Sequence, residues 1–248
     1  MPDPKHEAEL IVNALFEDYG TGGHTTGEVP GIDGREAIQE MKKEGFPGWQ
    51  EVEWAGYHIK YLIQKECELK LKNQILPYNL GKRHLVKGNY VWDARFSASD
   101  KTNIILGGVD EYKDIVASSN GIGVLVVDTV VNYDLNEDFR RWHEELKGGS
   151  SGYSIERELD GRPPRLRKTA YMIRKIIAYF FTIEDLTTGV TEGWLDDTFQ
   201  HSMRNSDGSS RKPKYYLKID DVPRSKCLLV KNFNEDPEEF EEDFPDYL

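Results

Sequence analysis

The run from Ile122 to Val131, IGVLVVDTVV, restricts the fold more than any other stretch of the 248-residue chain. It is dominated by β-branched residues, holds one acid, Asp128, and does not alternate between apolar and polar. A strand of this kind is buried on both faces, so it belongs in the middle of a sheet covered on each side. Around it, Tyr90-Val91-Trp92 and Asn103 to Leu106 read as strands. Asp110 to Ser118 reads as a helix, with Val109, Tyr112, Ile115 and Val116 at helical spacing. The order strand, strand, helix, strand, then further helices gives an α/β (α+β) domain with a central mixed β-sheet flanked by helices.

The other elements follow from local signals. Leu10, Ile11, Ala14 and Leu15 place an amphipathic helix over residues 5–19. Asp33 caps a short helix from Arg35 to Lys43, broken by Gly45-Phe46-Pro47-Gly48. Trp49 opens the longest helical pattern, which Pro77-Tyr78-Asn79 ends, and the short basic stretch 80–88 suggests a hairpin or a lead-in to the next strand. Asn136 to Leu146 is a charged helix, KGGSSGYS a loop, and Pro163-Pro164 keeps residues 156–168 extended. Ala170 to Phe181, AYMIRKIIAYFF, reads as a buried helix. Tyr215 to Ile219 and Cys227 to Val230 read as short strands. The chain divides into a single domain, 1–233, with its core at about 45–185, and an acidic tail, 234–248.

Charge and composition narrow the partners. The eight acids between Glu235 and Asp246 account for most of the net charge of −12, leaving −4 on the body. Arg162, Arg165, Arg167, Lys168, Arg174 and Lys175 form a stretch without an acid, the footprint of a basic face. No apolar run approaches the ~18 residues of a membrane span, and the N-terminus lacks the pattern of a signal peptide. Two cysteines, Cys67 and Cys227, suggest no disulfide framework. The expected compartment is the cytoplasm, with no membrane partner. His58 and His84 have no second ligand at i+3 or i+4.

The chemistry centres on Asn89 to Ser99, NYVWDARFSAS. Asp93 and Arg95 share one face of a strand, about 7 Å apart along the chain. A carboxylate that holds a divalent cation beside a cationic side chain is the minimum for metal-assisted phosphodiester chemistry; the same pair is also what an edge-strand ion pair looks like. Glu53, beside the buried stripe of the long helix, either faces solvent or looks toward Asp93. Asp93 followed by Glu111 and Lys113 also fits the spacing of the P-D…(D/E)-x-K nuclease signature, although on a helix Glu111 and Lys113 point to different sides.

Four segments in order, GWQEVEWAGYHIKYL, NYVWDARFSAS, FRRWHEELKGGSSGYSIER and GRPPRLRKTA, resemble a group of type II restriction endonucleases of that superfamily. The resemblance covers roughly residues 45–175. Its most specific part is Trp142-His143…Lys147-Gly148-Gly149…Tyr153. It implies a restriction-endonuclease-like core and Mg²⁺-dependent, sequence-specific cleavage of double-stranded DNA by a homodimer. Asp93 and Glu53 would hold the metal, with Arg95, or Glu111 and Lys113, completing the catalytic set. Lys147, Gly148, Gly149, Ser151, Arg162, Arg165, Arg167 and Lys168 would contact DNA. The chain departs from the pattern at Lys60, where a second glutamate is expected, at Arg95, in place of a lysine, and at Ser97, in place of a histidine. Those departures leave two alternatives beside an active enzyme: a DNA-binding protein of nuclease ancestry that cuts poorly or not at all, and a soluble α/β protein unrelated to nucleic acid.

Overall fold

The structure, a computed structural model, describes residues 3–21, 31–80, 83–98, 102–204 and 208–233. Residues 22–30, within the stretch from Gly20 to Gly34 whose glycines and proline read as a loop, residues 99–101, part of a Ser99-to-Thr102 turn by sequence, and the acidic tail lie outside them. The elements in chain order are α1 (Pro4–Thr21), β1 (Ile32–Asp33), α2 (Gly34–Lys43), α3 (Trp54–Glu66), β2 (Leu76–Leu80), β3 (Arg83–Lys87), β4 (Val91–Ala98), β5 (Asn103–Gly108), α4 (Val109–Ser119), β6 (Ile122–Tyr133), α5 (Asp138–Lys147), α6 (Gly152–Leu159), β7 (Lys168–Phe181), α7 (Ile183–Glu192), β8 (Leu195–Phe199), β9 (Lys214–Lys218) and β10 (Cys227–Asn232).

β6 is the central strand its sequence requires. It runs parallel to β4 on one side and antiparallel to β7 on the other, within a seven-stranded sheet of order β1-β7-β6-β4-β3-β2. β10 pairs with the later part of β7, while β1 pairs with its start. A second sheet, β5-β9-β8, packs over one face. The fold is thus the expected mixed sheet flanked by helices. Side-chain alternation along β6 separates two cores. Leu125 and Val127 join a cluster built from α1, α2 and α3. Ile122, Val124 and Val126 join a cluster under α4, α7 and the smaller sheet. Gly123 sits opposite Trp92, where a Cβ would lie 2.0 Å from the indole. Glycine there lets the Trp92 ring cross the sheet surface and donate to Glu7 Oε2 at 3.0 Å.

Several expectations change. AYMIRKIIAYFF is not a helix but the core of the fourteen-residue strand β7. Tyr171, Ile173, Ile176 and Ala178 face one core, and Ile177, Tyr179 and Phe181 the other. A bulge between the Asp128 and Thr129 pairings shifts the alternation partway along. A run buried on both faces and broken in register shows neither a two-residue nor a 3.6-residue period, so tertiary pairing decides its state. The long helix starts at Trp54 rather than Trp49, after a 3₁₀ turn at Pro47–Gln50. This makes Glu53 the residue before its first turn. Pro77-Tyr78-Asn79 lies inside β2 rather than at a helix end. Residues 152–159 form a helix, capped by Ser151 Oγ accepting from the Ser154 amide at 3.2 Å, where the sequence suggested loop and extended chain. The Asp33 cap is as expected, accepting from the amides of Arg35 and Glu36 at 2.8 and 3.0 Å. No helix among the described residues is long and apolar enough to cross a membrane.

Candidate functional site

Two charged sites stand out, and the first is Asp93. β3 pairs with β4 only at Val86↔Trp92 and Lys87↔Val91. Where that pairing stops, Gln64 of α3 donates to the Leu85 carbonyl at 2.7 Å. Lys60, one helical turn earlier, lines the small gap that results, together with His84, Trp92 and Ala94. Its ammonium donates to Asp93 Oδ1 at 3.0 Å. On β4, Trp92 and Ala94 face the α3 core and Val91 faces the α4 core. Asp93 therefore points toward α4, where the Tyr112 hydroxyl donates to Oδ2 at 2.7 Å. Arg95, on the same face of β4, also donates to Oδ2.

Asp93 is fully buried, while Lys60 and Arg95 retain slight exposure. Burial pushes its carboxyl up, but Arg95, then Lys60 and the Tyr112 hydrogen bond, outweigh that and hold it well below the ordinary carboxylate range. Burial lowers Arg95, and the Asp93 charge more than restores it, so both groups stay ionised. The cluster is one carboxylate bridging two cations and a phenol. A Mg²⁺ ion asks for octahedral oxygen ligands and at least partial charge balance. Here the lone carboxylate is already engaged at both oxygens, beside two fixed positive charges. No group of three or more His, Cys, Asp or Glu that could hold a metal occurs among the described residues. As arranged, the donor set does not fit the ion.

The other residues of the expected catalytic set lie apart. Glu53 precedes the first turn of α3, about 10 Å along the helix axis from Lys60. Its side chain is two-thirds exposed, and Lys168 donates to Oε2 at 2.6 Å. Glu111 is exposed in the first turn of α4 and accepts from the Gly108 amide at 3.3 Å. Lys113 is exposed on the same helix. The α4 side chain that reaches Asp93 is the one between them, Tyr112. Sequence reading grouped Tyr112 with the helix's apolar face. Its only distinguishing signal is a hydroxyl on a position that must be buried.

The second site is a cleft of about 180 Å³ between α5, α6 and the extended segment before β7. Five arginines line it, Arg140, Arg157, Arg162, Arg165 and Arg167, against two glutamates, Glu137 and Glu158. The residues that position them converge on Glu144, which is buried in α5. It accepts from Arg167 at 3.4 Å and from Ser150 Oγ at 2.8 Å, and Arg140 lies 3.6 Å away. The Lys147–Ser151 turn wraps this carboxylate. Its Gly148 and Gly149 have φ of 87° and 132°, and the Gly149 amide donates to the Glu144 carbonyl at 2.8 Å. Pro163 fixes the extended segment from the other side, its carbonyl accepting from Arg157 Nε at 2.6 Å.

Arg167 is only 4% exposed, yet its Nε and Nη1 have no hydrogen-bond partner among the described residues. Burial lowers its pKa, and Glu144 partly restores it. Burial likewise lowers Lys147, with Arg167 adding to the effect. A buried guanidinium with two unmet donors is costly unless something accepts from it. Of the residues expected to contact DNA, Ser151, Arg162, Arg165 and Arg167 line the cleft. Lys147, Gly148 and Gly149 build its flanking turn. Lys168 turns away to Glu53 and the Phe96 ring. Arg140, Arg157 and Ser154 were not expected; in sequence they read as ordinary polar faces of amphipathic helices.

No family model and no curated protein matches this chain. Among solved structures it is similar to the crystal structure of the restriction endonuclease BglI bound to its DNA recognition sequence. The two share 8% identity at a TM-score of 0.37, over 93% of this chain and 91% of that one.

Proposed function

We propose that this protein binds duplex DNA through the arginine-lined cleft, on a restriction-endonuclease-like core whose aspartate is held by cations rather than by a divalent metal. The observation that carries the reading is the cleft itself. Five guanidiniums line one cleft, three of them also paired with Glu137, Glu144 or Asp160, and arginine's planar fork suits phosphate oxygens better than a point charge. The Lys147–Ser151 turn supports it, because two glycines in succession leave the backbone open to close approach. Three of the four sequence segments that resemble type II restriction endonucleases contribute to this cleft: Val52 from the first, Arg140, Ser151, Ser154 and Arg157 from the third, and Arg162, Arg165 and Arg167 from the fourth.

The Asp93 cluster bears on cleavage. Phosphodiester hydrolysis of the expected kind needs a metal-bound carboxylate pair, and Asp93 is instead engaged by Lys60, Arg95 and Tyr112 while Glu53 pairs with Lys168. A binding role needs neither carboxylate free, and it does not need the second copy that cutting both strands would require. The test is to mix purified protein with plasmid DNA in Mg²⁺ and, separately, in Mn²⁺. The proposal expects salt-sensitive retardation of plasmid that stays covalently closed. Defined fragments in either metal overturn it in favour of the endonuclease.

A further inference from the structure

The shape of the cleft says more than its charge. Four segments enclose it: Val52 ahead of α3, α5 through Glu137 and Arg140, α6 through Ser151 and Ser154, and residues 162–167. Ser151 and Ser154, at the start of α6, line it, so the positive end of the helix dipole adds to the guanidiniums. Among the lining residues Arg167 is the buried one, and its Nε and Nη1 have no hydrogen-bond partner among the described residues.

A groove that only tracks a backbone would meet phosphodiesters, each with one negative charge and two neighbours along the chain. An enclosed pocket with a buried, half-satisfied guanidinium instead favours a group that can enter end-on with two charges and three free oxygens. Such a dianion can accept from Arg167 while other oxygens meet the exposed guanidiniums of Arg165 and of Arg162, which donates to Asp160 Oδ2 at 2.6 Å and would share its remaining N–H groups. We propose that the cleft is a discrete site for a phosphomonoester, a terminal phosphate with Arg167 at its base. The inference rests on reading this face as one that binds phosphate. The same chemistry is carried by the phosphorylated end of a polynucleotide and by a free mononucleotide.

The experiment uses the full chain, with inorganic phosphate and two otherwise identical short duplexes, one 5′-phosphorylated and one 5′-hydroxyl, titrated calorimetrically. The expected result is saturable one-to-one binding of phosphate, weakened at least tenfold in R162Q/R165Q. Both substitutions are at exposed positions, so the fold survives even if R167M does not. Tighter binding of the phosphorylated duplex, also lost in R162Q/R165Q, supports the site and identifies a polynucleotide end as its source. Equal affinity for the two duplexes, with phosphate still bound and lost in the variant, supports the site and identifies the free phosphomonoester. Absence of saturable phosphate binding overturns the inference. If both duplexes still bind equally in that case, DNA binding stands without it; if neither binds, both proposals fail together.

Discussion

The Asp93 cluster and the arginine cleft both bury charge, but they close their accounts in opposite ways. At Asp93 both oxygens of a fully buried carboxylate are engaged from three directions, by Lys60 of α3, Arg95 of β4 and Tyr112 of α4. In the cleft, Arg167 is nearly as well hidden, but among the described residues its side chain has a long hydrogen bond to Glu144 and two unmet donors. The Asp93 carboxylate joins three elements and has both oxygens engaged, although Arg95 beside it keeps one buried donor, Nε, unmet. A site left short of acceptors stores desolvation cost that an incoming anion can relieve. The difference separates a centre that holds the protein together from one that awaits something else.

The largest effect expected from breaking that contrast is at Asp93. Asp93→Ala removes the carboxylate that Lys60 and Arg95 share, and removing one partner of a buried ionic cluster costs about 3–5 kcal/mol. Urea denaturation measures it directly. A change within error would mean that Asp93 is not the structural junction described. Tyr112→Phe keeps the ring against Tyr215 and deletes one hydrogen bond to a charged group. It should cost about 1.5–3 kcal/mol in the same assay.

These partners show where the sequence was readable and where it was not. The central strand β6, the Asp33 cap and helix α4 were legible because each rests on a local signal: a β-branched run, a capping side chain, a 3.6-residue spacing. β7 was not, because a bulge and burial on both faces erase the period. The Asp93 strand was legible, but its chemistry was not, since Lys60 lies 33 residues before it and Tyr112 19 residues after. Only the fold brings them together. Lys60 left one trace, as the residue that departs from the restriction-endonuclease pattern. The basic segment 162–168 was legible from charge alone, while Arg140 and Arg157 stayed hidden among the polar residues of their amphipathic helices.

A smaller effect tests the wall behind the cleft through pH. His143 donates a ring N–H to the Trp49 carbonyl at 2.8 Å, and burial, partly offset by that bond, brings its pKa from 6.5 to about 4. The unfolded chain therefore binds the proton more readily between those values. His143 contributes stability that is complete above pH 6.5 and declines as pH falls toward 4. His143→Gln should flatten that part of the stability profile; an unchanged slope between pH 6.5 and 4 would place the titrating group elsewhere. The smallest effect is expected at the exposed α4 residues. Glu111→Gln and Lys113→Ala should each change stability by less than about 0.5 kcal/mol, and neither should alter DNA affinity. A large loss of binding in either would bring α4's outer face into the site.

The central claim is that phosphate is met by the cleft and not by the Asp93 cluster. The direct measurement is duplex affinity as a function of salt for the wild type and for R162Q/R165Q. The account predicts weaker binding in the variant and a log–log salt slope shallower by about 2, one unit for each guanidinium removed. An affinity and slope identical to those of the wild type would contradict it.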